Sequence, residues 1–165
     1  MKKFLNALLL SLALVALFCL PAMAEDAVSS ASVADYYADT ALTGDDLMNA
    51  INSFTGTYLV STTNPDGTPN TAFFVFSMLK HEDKYYLQLG LAENQSKANL
   101  MANGNGLAVY AANPTGEEGA KDYAVAGARI WFEAIEDQAV IDELNAGAGR
   151  PGAMFFEIVQ VKPLG

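Results

Sequence analysis

Cysteine is almost missing. Cys19 is the only one, so neither a disulfide framework nor a cysteine zinc site can be built. Histidine is as scarce, and His81 stands alone. A Ser-His-Asp triad would have to use it, yet no nucleophile motif lies at a strand-to-helix elbow. Metal sites need several convergent ligands, so His81 reads as a solvated residue at a hairpin tip and no metal is expected. Bases are few. Nine Lys and Arg face 19 Asp and Glu, for a formal net charge of −10. A surface that acidic repels phosphate backbones and anionic headgroups, which argues against nucleic acid as a partner. Phosphate-cradling glycine loops are missing too. Gly104-Asn105-Gly106 follows a helix pattern instead of opening one, and Gly147-Ala148-Gly149 runs on to Pro151. The pairs Glu117-Glu118 and Glu136-Asp137 fall in loops and read as solvated surface.

Long apolar runs are limited to one, Ala7 to Leu20, with Ser11 as its only polar member. Lys2 and Lys3 precede it, Pro21 stops it, and Ala22-Met23-Ala24 supplies a small-x-small cleavage pattern. This predicts a secretory signal peptide over residues 1–24 and an extracytoplasmic protein. The run is shorter than the roughly 20 residues that span a bilayer, so no membrane association is expected after cleavage. Cys19 as a lipid-attachment site would need a small residue before it, and Phe18 is there instead. Cleavage removes two lysines, which takes the formal charge from −10 to −12. It also removes the cysteine, so the remaining domain is held by its core alone.

What is present is a β-rich pattern. Residues 25–43 lack clear periodicity and read as a flexible leader. Thr43-Gly44-Asp45-Asp46 is a helix start, with Thr43 as cap and acidic residues in the first turn. Leu47, Met48, Ile51 and Phe54 follow at helical spacing. Strands are predicted at 58–63, 70–79, 85–91, 107–112, 123–135 and 154–161. Asn64-Pro65-Asp66-Gly67 is the turn between the first two. The run Phe73-Phe74-Val75-Phe76 reads as a strand buried on both faces, one in a barrel and the other against a helix or a second subunit. Gly127 reads as a bulge or close-approach point. A short helix spans Asn94 to Asn103, capped by Asn94 or Ser96, with Ala98, Leu100 and Met101 on its apolar side and Gly104 at its end. Asp137 caps a last helix. The fold class is mainly β (α+β): six antiparallel strands in a closed barrel with short flanking helices.

One place suits an anion. At Asn94-Gln95-Ser96-Lys97 the free amides of a helix start, a hydroxyl and an ammonium converge, as a phosphate monoester requires. An ordinary helix cap explains the same residues.

The ordered set Leu59-Val60-Ser61-Thr62-Thr63, Asp66-Gly67-Thr68-Pro69-Asn70, Tyr85-Tyr86-Leu87-Gln88-Leu89, Gln95-Ser96-Lys97-Ala98-Asn99-Leu100, Asn103 and Gly127-Ala128-Arg129-Ile130 resembles the pyridoxamine 5′-phosphate oxidase-like, FMN-binding split-barrel superfamily. The match runs from about Leu47 to Val161 and is similar to the short FMN-binding proteins. The resemblance implies a split-barrel domain over residues 44–165. It also implies a homodimer with FMN at the subunit interface and a small-molecule redox substrate. Ser96 and Lys97, with Gln95 beside them, would hold the phosphate. The ring would lie along the second strand at Ala72, Phe73 and Phe74. No catalytic acid or base is nominated. Many relatives carry a base on that second strand, and Thr71 to Ser77 has none. One lost charge-assisted bond costs about 1.5–3 kcal/mol, roughly one to two decades of affinity. Arg129 and Arg150 are the candidate replacements. A basic set for pyridoxal phosphate is missing, which disfavours true pyridoxamine phosphate oxidase activity. Two functions are therefore expected in order. The first is an exported flavin-dependent oxidoreductase or electron carrier; the second is a non-enzymatic binding module with a decayed flavin site.

Overall fold

The structure is a computed structural model in which residues 37–112, 125–148 and 153–165 are described. The chain divides into two units, 1–34 and 35–165, and every described residue belongs to the second. The expected signal peptide, most of the leader, the loop from Asn113, the start of the fifth predicted strand at Tyr123 and Arg150 lie outside the described residues.

Alternation of apolar and polar side chains builds the sheet. The strands are β1 (Thr57–Thr63), β2 (Pro69–Phe73), β3 (Phe76–His81), β4 (Lys84–Leu89), β5 (Asn105–Ala111), β6 (Gly127–Ala134) and β7 (Met154–Lys162). They form one seven-stranded sheet in the order β2-β1-β5-β6-β7-β4-β3, and every pairing is antiparallel. Six strands are predicted and seven are found, because the run Asn70–Leu79 is broken at Phe74 and Val75. This break defines the architecture. β2 and β3 are the two ends of the sheet order, and two residues of chain join them. The sheet therefore curls back on itself as a split barrel.

The interior is a continuous apolar cluster. Val60, Met78, Leu87, Ala108, Ile130, Phe132 and Phe156 are all buried in it. Gly127 is the close-approach point expected of it: a Cβ there would lie 2.1 Å from the Tyr110 carbonyl oxygen. The irregularity in β6–β7 is elsewhere. Trp131 pairs with Gln160 and Phe132 with Ile158, so Val159 is an extra residue on β7.

Among the described residues three α-helices flank the barrel: α1 (Gly44–Asn52), α2 (Gln95–Asn103) and α3 (Gln138–Ala148). α1 closes the end marked by Tyr58, Tyr110 and Phe76. Its Leu47 and Ile51 are fully buried, each worth about 1.5–3 kcal/mol of transfer free energy. The Tyr58 hydroxyl donates to the Ile51 carbonyl at 2.6 Å and the Tyr110 hydroxyl to that of Ala50 at 3.0 Å, which satisfies carbonyls of the last turn. Thr43 precedes α1 but makes no capping bond through its side chain. α3 covers the outer face of β4 and β7 through Leu144 on Tyr86 and Phe155. Asp137 caps it, accepting from the Ala139 amide at 2.9 Å. His81, expected to be merely solvated, lies 3.0 Å from the Glu143 carboxylate of α3. The end of the expected leader is tied down: Thr40 Oγ1 donates to Val125 O at 2.8 Å and the Leu42 amide to Gly127 O at 3.0 Å. No described helix is long and apolar enough to cross a membrane.

Candidate functional site

α2 begins in a polar turn, and its cap is Asn94. The Asn94 side chain accepts from the Lys97 amide at 2.9 Å, and Gly104 in the left-handed region ends the helix. The Ala98 amide takes the first intrahelical bond, to the Asn94 carbonyl. The Gln95 and Ser96 amides then have no acceptor among the described residues, as the geometry of a helix start dictates.

The face that α2 buries is polar. Ala98 and Met101, expected on its inner side, are exposed; Met101 is 71 % exposed. The buried residues are Ser96, Asn99 and Leu100. Asn99, only 2 % exposed, donates from Nδ2 to Thr62 Oγ1 at 3.0 Å and to Asn64 Oδ1 at 2.9 Å. Its Oδ1 accepts from Gln95 Nε2 at 2.8 Å. Asn70 on β2 donates to Thr62 Oγ1 at 3.1 Å and to Ser96 Oγ at 2.9 Å. Ser96 is 3 % exposed, and its own hydroxyl proton has no acceptor among the described residues. A connected, partly buried network of this kind fixes geometry, because each buried member left unpaired would cost its desolvation. Here it fixes the start of α2 against β1 and β2.

Lys97 sits in the first turn of α2, the positive end of the helix dipole, where a cation is disfavoured. Its ammonium is paired with Glu93, four residues earlier, whose side chain is largely exposed. Two free amides, a hydroxyl with a proton to give and an ammonium beside a displaceable carboxylate make a donor set that fits a phosphate monoester.

The other predicted site residues are on β2. The Phe74 amide donates to Tyr58 O at 3.3 Å. In an antiparallel pair hydrogen-bonded partners alternate, so Ala72 and Asn70 also turn their backbone groups to β1. Of Ala72, Phe73 and Phe74, only Phe73 presents its amide and carbonyl to the open edge. Pro69 falls at the other parity, opposite Thr63, where its missing N–H breaks no bond. The Phe73 side chain is 78 % exposed, while Phe74 packs on the core. The structure thus brings Gln95, Ser96 and Lys97 together and puts Phe73 on the adjoining edge; Ala72 and Phe74 serve the barrel. The residues missed in the sequence are Asn70, Thr62 and Asn99. Asn70 is the second-strand residue that reaches the helix start, and it brings a neutral amide. Arg129 is three strands from β2 in the sheet order, and its Nε donates to Pro163 O at 2.6 Å. No group of three or more carboxylate, His or Cys side chains suited to a metal occurs among the described residues.

No protein-family model and no curated protein sequence matches the chain. Solved structures do. The architecture is that of an FMN-binding protein from Syntrophomonas wolfei subsp. wolfei, with a TM-score of 0.52 at 18 % identity over 73 % of this chain and 85 % of that one. HupZ of Group A Streptococcus aligns at TM-score 0.49 and 17 % identity over 74 % and 94 % of the two chains. Flavoredoxin of Desulfovibrio vulgaris (Miyazaki F) aligns at 0.43 and 13 % over 66 % and 69 %. The fold is a split β-barrel. It is the fold of the FMN-binding split-barrel proteins, as the resemblance in the sequence implied.

Proposed function

We propose that the protein binds FMN at the start of α2 and works as a flavin-dependent oxidoreductase or electron carrier. The observation that carries this reading is the donor set at Gln95, Ser96 and Lys97 on a barrel of this fold. The two amides and the Ser96 hydroxyl would take phosphate oxygens. Lys97 would exchange Glu93 for the ligand's charge. Asn70 and Asn99 would hold Ser96 and Gln95 in place. Phe73 would offer its backbone edge and ring to the cofactor's flat part. Bound flavin supplies reversible one- and two-electron chemistry, which the protein orients and tunes. The reading includes a homodimer, since Phe73 and Val75 are exposed apolar residues at the open end of the sheet. It includes export through residues 1–24 and a small-molecule redox substrate. The test is the absorbance spectrum of the purified protein, with FMN identified after denaturation. Bands near those of free flavin are expected; a colourless protein that takes up no added FMN overturns the reading. Light scattering gives the oligomeric state.

A second reading is a binding module whose flavin site has decayed. It is favoured by one observation: Lys97 already has Glu93 as its partner and Ser96 already accepts from Asn70. The same spectrum decides between the two.

A further inference from the structure

The pair Glu136-Asp137, which reads as solvated surface in the sequence, stands on a groove that the flavin reading leaves unused. The groove lies where β4, β6 and β7 meet the start of α3, and it holds about 380 Å³. That volume falls within the usual range for small-molecule sites, roughly 300–1,000 Å³. The carboxylates of Glu133, Glu136, Asp137 and Glu157 line it, against the single ammonium of Lys84. Lys84 is paired with Glu157 at 2.7 Å. Asp137 accepts from the Ala139 amide as the cap of α3. The carboxylates of Glu133 and Glu136 have no partner among the described residues. Glu133 also stands directly opposite Glu157 in the β6–β7 register, where like charges are destabilising.

Acids alone would describe a solvated face, but the groove also has a buried polar group. Tyr86 lines it and is only 3 % exposed. Its ring belongs to the apolar cluster that holds Leu144, Ile135 and Val140. Its hydroxyl has no hydrogen-bond partner among the described residues. Tyr86 is directly opposite Glu157 in the β4–β7 register, so Tyr86, Glu157 and Glu133 form one row across a single face of the sheet. Burial first, and then the Glu157 charge, raise the Tyr86 pKa above its ordinary 10.0, so the hydroxyl keeps its proton. A buried hydroxyl without a partner costs its desolvation, which a ligand in the groove would offset.

We propose that this groove is a second site, for a linear aliphatic polyamine. A metal ion is a poorer match, because no group of three or more carboxylate, His or Cys side chains among the described residues is suited to one. Acids spread along a groove suit a ligand whose charges are spread along a chain. Ammonium groups only donate hydrogen bonds, while carboxylate and phenol oxygens accept them. Glu133 and Glu136 take ammonium groups at the surface, and the Tyr86 oxygen accepts from one that reaches deeper. The methylene segments rest on Ile135, Val140 and Val159. The site takes no residue from α2 or from its partners on β1 and β2, and it does not depend on flavin.

The full chain is titrated with spermidine by calorimetry in about 0.1 M salt, which screens the general negative field of the protein beyond about 10 Å. Saturable binding is expected. n-Butylamine, with a single charge, is expected to bind about tenfold more weakly, as the loss of two exposed ion pairs implies. Magnesium ion at equal concentration is expected not to displace spermidine. Tyr86→Phe keeps the ring and removes only the hydroxyl. It is expected to weaken spermidine by about five- to tenfold, with no fall in the denaturant midpoint. Glu136→Gln is expected to weaken it by about two- to fivefold. Asp46→Asn removes the same charge from an exposed position on α1 and is expected to leave binding unchanged. Absence of saturable binding, equal affinity for n-butylamine, or displacement by magnesium each overturn the proposal. So does an unaltered Tyr86→Phe titration, or an equal response of Glu136→Gln and Asp46→Asn.

Discussion

α1 and α2 are both nine residues long and both close the barrel, yet they bury opposite chemistry. α1 inserts Leu47 and Ile51, and its last carbonyls are satisfied by tyrosine hydroxyls from the core. α2 inserts Ser96 and Asn99 beside Leu100; Ser96 is held by Asn70 of β2, and Asn99 by Thr62 of β1. An apolar plug stabilises through area and tolerates small shifts. A polar one stabilises less per residue but fixes orientation, since hydrogen bonds are directional. The proposed function places the site at α2 and leaves α1 to stability.

Substitutions test that division. Ile51→Ala should destabilise by about 2–5 kcal/mol through the cavity it leaves, read as a lowered denaturant midpoint. FMN affinity, measured where the variant is folded, should stay as it was. Lys97→Ala should do the reverse. Its FMN affinity should fall by one to two decades, about 1.5–3 kcal/mol, while stability moves by less than about 0.5 kcal/mol. A large loss of stability with intact FMN binding would erase the contrast. Asn99→Ala should fall between them. It strands Gln95, Thr62 and Asn64 and should cost about 1–3 kcal/mol of stability. It should also weaken FMN, because the start of α2 loses its support.

The smallest effect expected is electrostatic. Asp45, in the first turn of α1, accepts from the Tyr85 hydroxyl at 2.7 Å and from Lys80 at 3.3 Å. The Tyr85 bond first, and then Lys80, hold its carboxyl below the ordinary value of 3.8. A depressed carboxylate contributes stability above its unfolded pKa, and that contribution fades as pH falls through the folded one. Asp45→Asn should therefore match the parent in strong acid and trail it slightly above pH 4, seen in denaturant midpoints across pH.

Much of this was legible in the sequence. β-branched and aromatic runs located six strand segments, and Asn94, Gly104 and Gly127 had their roles written in residue type. The break at Phe74 and Val75 was not legible, because an unbroken apolar run carries no turn residue. Its kink comes from the barrel's closure, a tertiary demand. The buried face of α2 was misread for a related reason. Periodicity searches for apolar residues, so Ala98 and Met101 outweighed Ser96 and Asn99. The available signal was the set of short polar residues Thr62, Asn64 and Asn70, which interrupt apolar strands near the predicted turn and needed partners. Val159 as an extra residue was also invisible, since a bulge shifts register without changing composition.

The two-residue joint at Phe74 and Val75 also shapes how the chain can assemble. β1–β2 and β3–β4 are hairpins drawn from neighbouring stretches, and they follow one another directly. Each can form with little loop to close. The seams that complete the barrel are different: β1 with β5 joins residues 57–61 to 107–111, and β4 with β7 joins 86–89 to 154–157. Distant pairings of that kind slow folding, because chain entropy is lost before the contacts repay it. The tandem hairpins are thus the natural early unit, and the rate of barrel formation is set where β5 and β7 dock on its two flanks.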